Sequence, residues 1–308
     1  MIAPTERRAG LTTAVPPSAG VRSLVRVGVD GRRVNAMSVD VEDYFQVQAF
    51  AGTIDRKDWD ALPCRVERNV DRLLGIFDEA GVSATFFTLG WVAERYPAVI
   101  RRIVAGGHEL ASHGWDHTRA DAQEPVAFRA DVARTKKLLE DIGGVEVVGY
   151  RAATFSIGPA NYWAFGVLGE EGYKYSSSLY PVKHDLYGDT SVSRTPFHPD
   201  GLPILEAPMT TVQYFGRNFP CSGGGYFRLL PYWLSRMNMR RVNRHDRQPC
   251  IFYFHPWEID PGQPRQDKVG AKSRFRHYTN LGRMEGRLKR LLKDFAWDRM
   301  DRVFLDAA

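Results

Sequence analysis

From Val34 onward the chain alternates short β-rich runs with amphipathic stretches of helical period, a rhythm that leaves few architectures open. NAMSVDV is a strand run, and VERNVDRLLGIFDEAGV places Val70, Leu73, Leu74 and Phe77 on one helical stripe before stopping at Gly81, a residue suited to a left-handed C-cap. SATFFTLG is again β-rich, and WVAERYPAVIRRIVAGG is a helix ending at Gly106 and Gly107. HELASHG is a strand, PVAFRADVARTKKLLEDIG a helix through Phe128, Val132, Leu138 and Leu139, and VVGYRAA a further strand. Such alternation predicts βα units and a parallel sheet or barrel. In that class the active site gathers at the carboxyl ends of the strands.

Chemistry-bearing residues fall at those ends. Asp40, Glu42 and Asp43 load the end of the first strand, His113 and His117 follow the third, Arg151 follows the fourth, and His255 closes the apolar run CIFYF. Two imidazoles four residues apart can reach one ion if the chain turns after the strand, and a carboxylate from the acidic strand end would complete a His, His, acid triad with a coordination position left open. Alternation along a strand gives Asp40 and Glu42 the same face, so one can ligate while the other acts as base. Glu42 is the favoured ligand, and Asp43 replaces it if the chain has already turned.

Composition narrows the class. At 308 residues the chain can form one large α/β domain or a barrel with an extension, and 44% hydrophobic with 25% charged residues is ordinary for a globular enzyme. The net charge of +6 includes a basic cluster from Arg274 to Lys293, which reads as the wet face of a helix, so no nucleic-acid partner is expected. Cys64, Cys221 and Cys250 lie far apart and form no CxxC pair, which argues against a disulfide framework and for a reducing compartment. The first twenty residues carry no apolar run of signal-peptide length, and no segment approaches ~18 uninterrupted apolar residues, so the expectation is a cytoplasmic protein with no membrane span. Residues 1–33 read as a flexible tail and residues 176–250 as loops and short strands, with GGGY at Gly223 to Tyr226 read as a turn. LGRMEGRLKRLLKDF is a basic amphipathic helix.

The ordered motifs SVDVED, SHGWDH, YRAATFS and FYFHPWE resemble those of the NodB-type polysaccharide deacetylases, carbohydrate esterase family four. DVEDYFQV, EAPMTT, GGGYFRLLPYW and FRHYTNL are similar to the subgroup linked to exopolysaccharide and exosortase (PEP-CTERM) loci. The resemblance implies a distorted (β/α) barrel over residues 34–260, with residues 261–308 as a C-terminal extension packed on it. It also implies metal-assisted removal of N-acetyl groups from amino sugars of an exopolysaccharide or its precursor, so the expected partner is an N-acetylated oligo- or polysaccharide. Carried over, Asp40 is the catalytic base, His113 and His117 are metal ligands, Arg151 holds the base ionised, and His255 protonates the leaving amine. Zn2+ is the first choice of metal, with Co2+, Ni2+ or Fe2+ as alternatives.

In this scheme the backbone amide of Tyr44 or a neighbour is a candidate donor to the developing oxyanion. Trp115, Trp257, Tyr180 and Phe155 are candidates for a sugar-stacking wall. The chain departs from the family at Ser176, where related sequences are expected to carry Asp, and in spreading its first acids over Asp40, Glu42 and Asp43. Those departures keep two other readings in view: an allantoinase-like hydrolase of small cyclic amides, and an inactive glycan-binding protein.

Overall fold

The computed structural model describes residues 26–28 and 31–305. Strand β1 (Val34–Val41) is buried on both faces and pairs with three other strands of an eight-stranded sheet. Helix α1 (Val66–Ala80) ends at Gly81 with φ 63°, the left-handed cap its sequence suggests. β2 (Thr85–Thr88) follows, and then two helices, α2 (Gly90–Arg95) and α3 (Pro97–Ala105), in place of the single helix expected. Pro97 is the cause, because it drives the preceding Tyr96 out of helical conformation, to φ −126° and ψ 57°. The βα rhythm continues through β3 (Glu109–Ser112), α4 (Pro125–Gly143), β4 (Gly149–Tyr150), α5 (Trp163–Glu170), β5 (Tyr175–Ser176) and β6 (Leu205–Glu206).

The stretch beyond β6 is more ordered than its composition suggests. β7 (Thr211–Tyr214) and β8 (Arg217–Pro220) form an antiparallel hairpin, and α6 (Gly224–Leu229) and α7 (Tyr232–Arg241) precede β9 (Ile251–Phe254). Gly223 and Gly224 are therefore not a turn but the entry to α6. A Cβ at Gly223 would meet the Tyr253 ring at 2.6 Å, and one at Gly224 would meet Glu258 Oε1 at 2.2 Å. α8 (Ala271–Tyr278), α9 (Leu281–Asp294), β10 (Ala296–Asp298) and α10 (Met300–Phe304) complete the chain.

All pairings in the main sheet are parallel, in the order β10, β1, β2, β3, β4, β5, β6, with β9 also paired to β1. β6 and β9 do not pair, so the sheet is a barrel left open on one side. Segment 207–223 bridges the gap, where Thr210 Oγ1 accepts from Ile251 N–H and Ser222 O from Tyr253 N–H. Alternation along β1 separates two environments. Met37, Val39 and Val41 pack with the inner faces of α1 and α9, while Ala36 shares a cluster with Phe87, Ala111, Tyr175 and Tyr253.

One boundary drawn from sequence needs correcting. The tail does not run loose to residue 33: Val27 bridges Arg33, Val34 N–H donates to Arg26 O at 2.9 Å, and Arg26 pairs with Asp298 at 2.9 Å around a turn at Gly31. Residues 1–25 lie outside the described residues. The C-terminal extension does more than pack on the barrel: within residues 261–305, β10 pairs with β1 from Val34 to Ala36, and Met300 Sδ lies 3.7 Å from Arg151 Nη2.

Candidate active site

Register brings the strand ends level. Val39 lies opposite Phe254, so Asp40 and His255 leave adjacent strands side by side; Ser112 lies opposite Tyr150, so His113 and Arg151 do the same. The resulting cleft of about 490 Å3 is lined by Asp40, Glu42, His113, His117 and His255 among others, while Arg151 lies fully buried behind Asp40. Asp40, Glu42, His113, His117, Arg151 and His255 thus sit in or directly behind one cleft.

Glu42, His113 and His117 each offer a ligand atom within 4.8 Å of the others, and all three side chains are buried. His113 Nδ1 lies 2.8 Å from the Arg151 carbonyl, which can only accept, so that nitrogen carries the proton and Nε2 keeps its lone pair. Burial lowers the pKa of both imidazoles, with His117 lowered further by the neighbouring His113 and His255, so both stand neutral and able to ligate. Glu42 Oε2 is 3.1 Å from His117 Nε2, yet it is buried without a hydrogen-bond donor. A buried carboxylate oxygen without a donor beside two neutral imidazoles fits a divalent cation in both charge and donor type.

The residues after β3 make this possible through their backbone. Gly114 and His117 both have positive φ, 75° and 60°, which turns the loop sharply enough to bring i and i+4 rings within 5.4 Å. Asp43 has turned away. Its carboxylate accepts from Val66 N–H at 2.8 Å, Cys64 Sγ at 3.0 Å and Arg65 N–H, and so holds the start of α1. Tyr44 is corrected as well, because its amide donates to Asp43 Oδ1 at 2.7 Å and is not free to meet an oxyanion.

Asp40 Oδ1 and Arg151 Nη1 are 2.6 Å apart, both buried. The guanidinium also donates to Ser38 Oγ at 3.0 Å, Ser177 O at 3.2 Å and Ser177 Oγ at 3.2 Å, and lies 4.1 Å from the Phe87 ring centroid. These four hydrogen bonds, with Met300 Sδ 3.7 Å from Nη2, leave it one orientation. Ser176 instead donates to Ser178 Oγ at 2.8 Å, and the buried acid at this edge is Glu206. Glu206 accepts from the Ser178 and Leu179 amides, and burial raises its pKa to about 7.

On the opposite wall His255 Nδ1 donates to Glu258 Oε1 at 2.9 Å, while Nε2 lies 3.4 Å from Glu42 Oε1. Burial alone would lower the His255 pKa, but the Glu42, Glu258 and Asp40 carboxylates outweigh it and hold it at about 9. Burial alone would raise Glu258, but Arg228 and His255 bring it down to about 2. Arg228 Nε donates to Glu258 Oε2 at 2.6 Å, and its remaining nitrogens reach the carbonyls of Arg276, His277 and Thr279.

Sequence reading missed Glu258 and Arg228, although an acid three residues after His255, in the turn begun by Pro256, is a local signal for a hydrogen bond to that ring. It also missed His184 and His277, which line the cleft without a motif around them. His277 stacks on Trp257 with ring centroids 4.1 Å apart and donates through Nε2 to Gln263 Oε1 at 2.7 Å. Of the four aromatics considered for a sugar wall, Phe155 and Trp257 line the cleft. Tyr180 is buried behind it, stacked on Tyr187, and Trp115 packs under Arg134.

Two family models match the chain: Polysaccharide deacetylase over residues 55–162, a span holding His113, His117 and Arg151, and the Domain of unknown function DUF3473 over residues 177–305, which holds His255. The peptidoglycan deacetylase of Helicobacter pylori is 28% identical over 123 residues, which is 37% of this chain and 38% of that protein. The peptidoglycan deacetylase-like protein FGM2 of Gibberella zeae is 30% identical over 120 residues, 38% of this chain and 35% of that protein. The chain therefore spans little more than a third of the curated relatives it matches.

Likeness of fold extends much further. A crystal structure of a putative polysaccharide deacetylase from Mycobacterium smegmatis superimposes with a TM-score of 0.62 at 22% identity, covering 94% of this chain and 93% of that one. The Puue allantoinase superimposes with a TM-score of 0.56 at 17% identity, covering 94% and 92%. Matched in sequence over residues 55–162 and in architecture along nearly its whole length, the chain carries a polysaccharide deacetylase domain of the NodB type, carbohydrate esterase family four.

Proposed function

We propose that the protein is a metal-dependent hydrolase that removes N-acetyl groups from amino sugars of an exopolysaccharide or its precursor. One observation carries the reading: a two-imidazole, one-carboxylate donor set shares a cleft with an Arg-held aspartate and a Glu-held histidine. Relatives named as peptidoglycan deacetylases support the substrate class, an N-acetylated saccharide.

Glu42, His113 and His117 would hold the metal, Zn2+ first and Co2+, Ni2+ or Fe2+ as alternatives, and a bound divalent ion there supplies Lewis acidity toward the acetamide and its attacking water. Asp40, fixed by Arg151, takes the water's proton. His255 keeps Nδ1–H on Glu258 and presents Nε2 to the cleft, where in its protonated form it donates to the departing amine. Phe155 and Trp257 give the sugar apolar faces to lie against.

The test is acetate release from N-acetyl chitooligosaccharides by chelator-treated protein with and without added zinc or cobalt. Activity is expected only with metal, and Asp40→Asn, His113→Ala and His255→Ala should each lower it by about a hundredfold or more. Turnover kept in all three variants sinks the mechanism. Because the fold is shared with an allantoinase, allantoin is the control substrate, and preferential hydrolysis of it would replace the glycan reading.

A further inference from the structure

Away from the cleft, four of the nine large apolar side chains exposed among the described residues collect in one region: Phe215, Phe219, Trp233 and Met237. Two elements present them. Trp233 and Met237 are four residues apart on α7 and head a stripe that continues into Arg240, Arg241 and Arg244, and together these side chains line an open groove. The β7–β8 hairpin abuts this helix, with Tyr214 Oη donating to Asn238 Oδ1 at 2.8 Å and the Arg241 guanidinium 5.0 Å from the Tyr214 ring centroid. Phe215, the residue after Tyr214, forms the hairpin tip together with Gly216.

Folding does not account for Phe215. The tip is a two-residue turn with φ 50° at Phe215 and 74° at Gly216, a geometry that favours Asn, Asp or Gly at both positions. A phenylalanine there adopts a strained left-handed backbone while leaving its whole side chain in water. Trp233, 63% exposed at the start of α7, likewise contributes little to the core.

Apart from His245, the polar side chains that line this groove are all arginines. Arg236 pairs with Asp294, but among the described residues Arg240 and Arg244 have no ion-pair partner, and Arg217 extends from the hairpin. Protruding aromatics at a turn and a helix face, edged by unpaired arginines, form a surface complementary to a bilayer with anionic headgroups. The rings enter the interface and the guanidinium groups meet lipid phosphates. The hairpin is also tied to the cleft rim, since Asn218 Nδ2 donates at 3.0 Å to Pro181 O, in the segment that goes on to supply His184 and Tyr187 to the cleft wall.

We propose that Phe215, Phe219, Trp233 and Met237, with Arg217, Arg240 and Arg244, dock the protein peripherally onto an anionic lipid surface. The proposal is independent of the hydrolytic reading, and its test needs no turnover. The full chain is sedimented with vesicles of phosphatidylcholine alone and of phosphatidylcholine mixed with phosphatidylglycerol. Binding is expected only to the mixed vesicles, weakening as salt rises through the physiological range.

The double variant Arg240→Gln with Arg244→Gln should lower partitioning by roughly twenty-five-fold, since each arginine near an anionic surface is worth about fivefold. Phe215→Ser with Trp233→Ser should also lower it, at low salt as well as high. Both variants should keep the wild-type circular dichroism spectrum and thermal melt, because none of these residues is buried. Equal sedimentation with both vesicle types, or variants that bind as wild type, overturns the proposal. So does a dimer seen by light scattering that the same substitutions dissociate, or capture by an anionic glycan in the absence of any vesicle binding.

Discussion

The buried pair Asp40–Arg151 offers the most direct quantitative test of how this site is held. Replacing Arg151 with Met keeps much of its length against Phe87 but leaves Asp40, 2% exposed, without its 2.6 Å partner. Removing one member of a buried ion pair costs about 3–5 kcal/mol because the other charge stays desolvated. In a chain of this size each kcal/mol moves the melting midpoint by about 2–4 °C, so Arg151→Met is expected to melt about 10 °C lower.

The double variant Asp40→Asn with Arg151→Met carries neither charge. It should recover about 2 kcal/mol or more of the single variant's loss, although it lacks the same bonds to Ser38 and Ser177. The assay is chemical denaturation of chelator-treated wild type, both single variants and the double variant, read as a cycle. Strict additivity would refute the reasoning, because it would mean that Arg151 acts through packing and serine contacts rather than through the charge of Asp40.

Glu42 and Asp43 are adjacent but face different chemistry, so Glu42→Gln should abolish stoichiometric zinc in elemental analysis, whereas Asp43→Asn should keep the metal and lose about 1–2 kcal/mol of stability at the start of α1. Zinc retained by Glu42→Gln and lost by Asp43→Asn would reverse that assignment. Gly224→Ala drives a methyl group into a Glu258 carboxylate that Arg228 and His255 both hold, so acetate release should fall at least about tenfold with metal content unchanged. Wild-type turnover in that variant would show that the Glu258 position is not needed.

Glu109 is buried against Thr85, Tyr175 and Asp301, and burial followed by the Asp301 charge raises its pKa well above the usual carboxylate range. A raised carboxyl favours the folded state fully below its unfolded pKa and loses that contribution as pH rises through the folded value. Glu109→Gln should therefore flatten the decline in unfolding free energy between pH 5 and alkaline pH, in urea titrations of wild type and variant. Parallel curves would show that Glu109 ionises without penalty.

What the sequence disclosed was whatever depends on period and strand ends. Alternation in β1 places Asp40 and Glu42 toward the cleft side, and helical stripes such as Leu73 and Phe77 announce the faces that cover the sheet. Less legible was anything set by partners distant in the chain. Asp43 could be separated from Glu42 only by seeing that it holds the amides of Arg65 and Val66, more than twenty residues away. Arg228 looked like one of many scattered cations until it was found between Glu258 and three carbonyls of residues 276–279. Helix α7 was hidden because its outward stripe of Trp233, Met237 and arginines does not alternate apolar-in with polar-out.

The same long-range contacts explain why the last fifty residues cannot be treated as a cover. Carbonyls at the end of α8 absorb three of the Arg228 donors, which leaves Nε to fix Glu258 and, through it, the His255 ring. On the far side of the cleft Met300 closes the space beneath the Arg151 guanidinium, and β10 lengthens the pairing of the strand that ends in Asp40. The wall that carries Asp40 and Arg151 is therefore built from early and late parts of the chain, whereas the wall that carries His255 is held within residues 228–279. The site spans both matched segments and the strand before them: His113, His117 and Arg151 lie within residues 55–162, Arg228, His255 and Glu258 within residues 177–305, and Asp40 and Glu42 precede both.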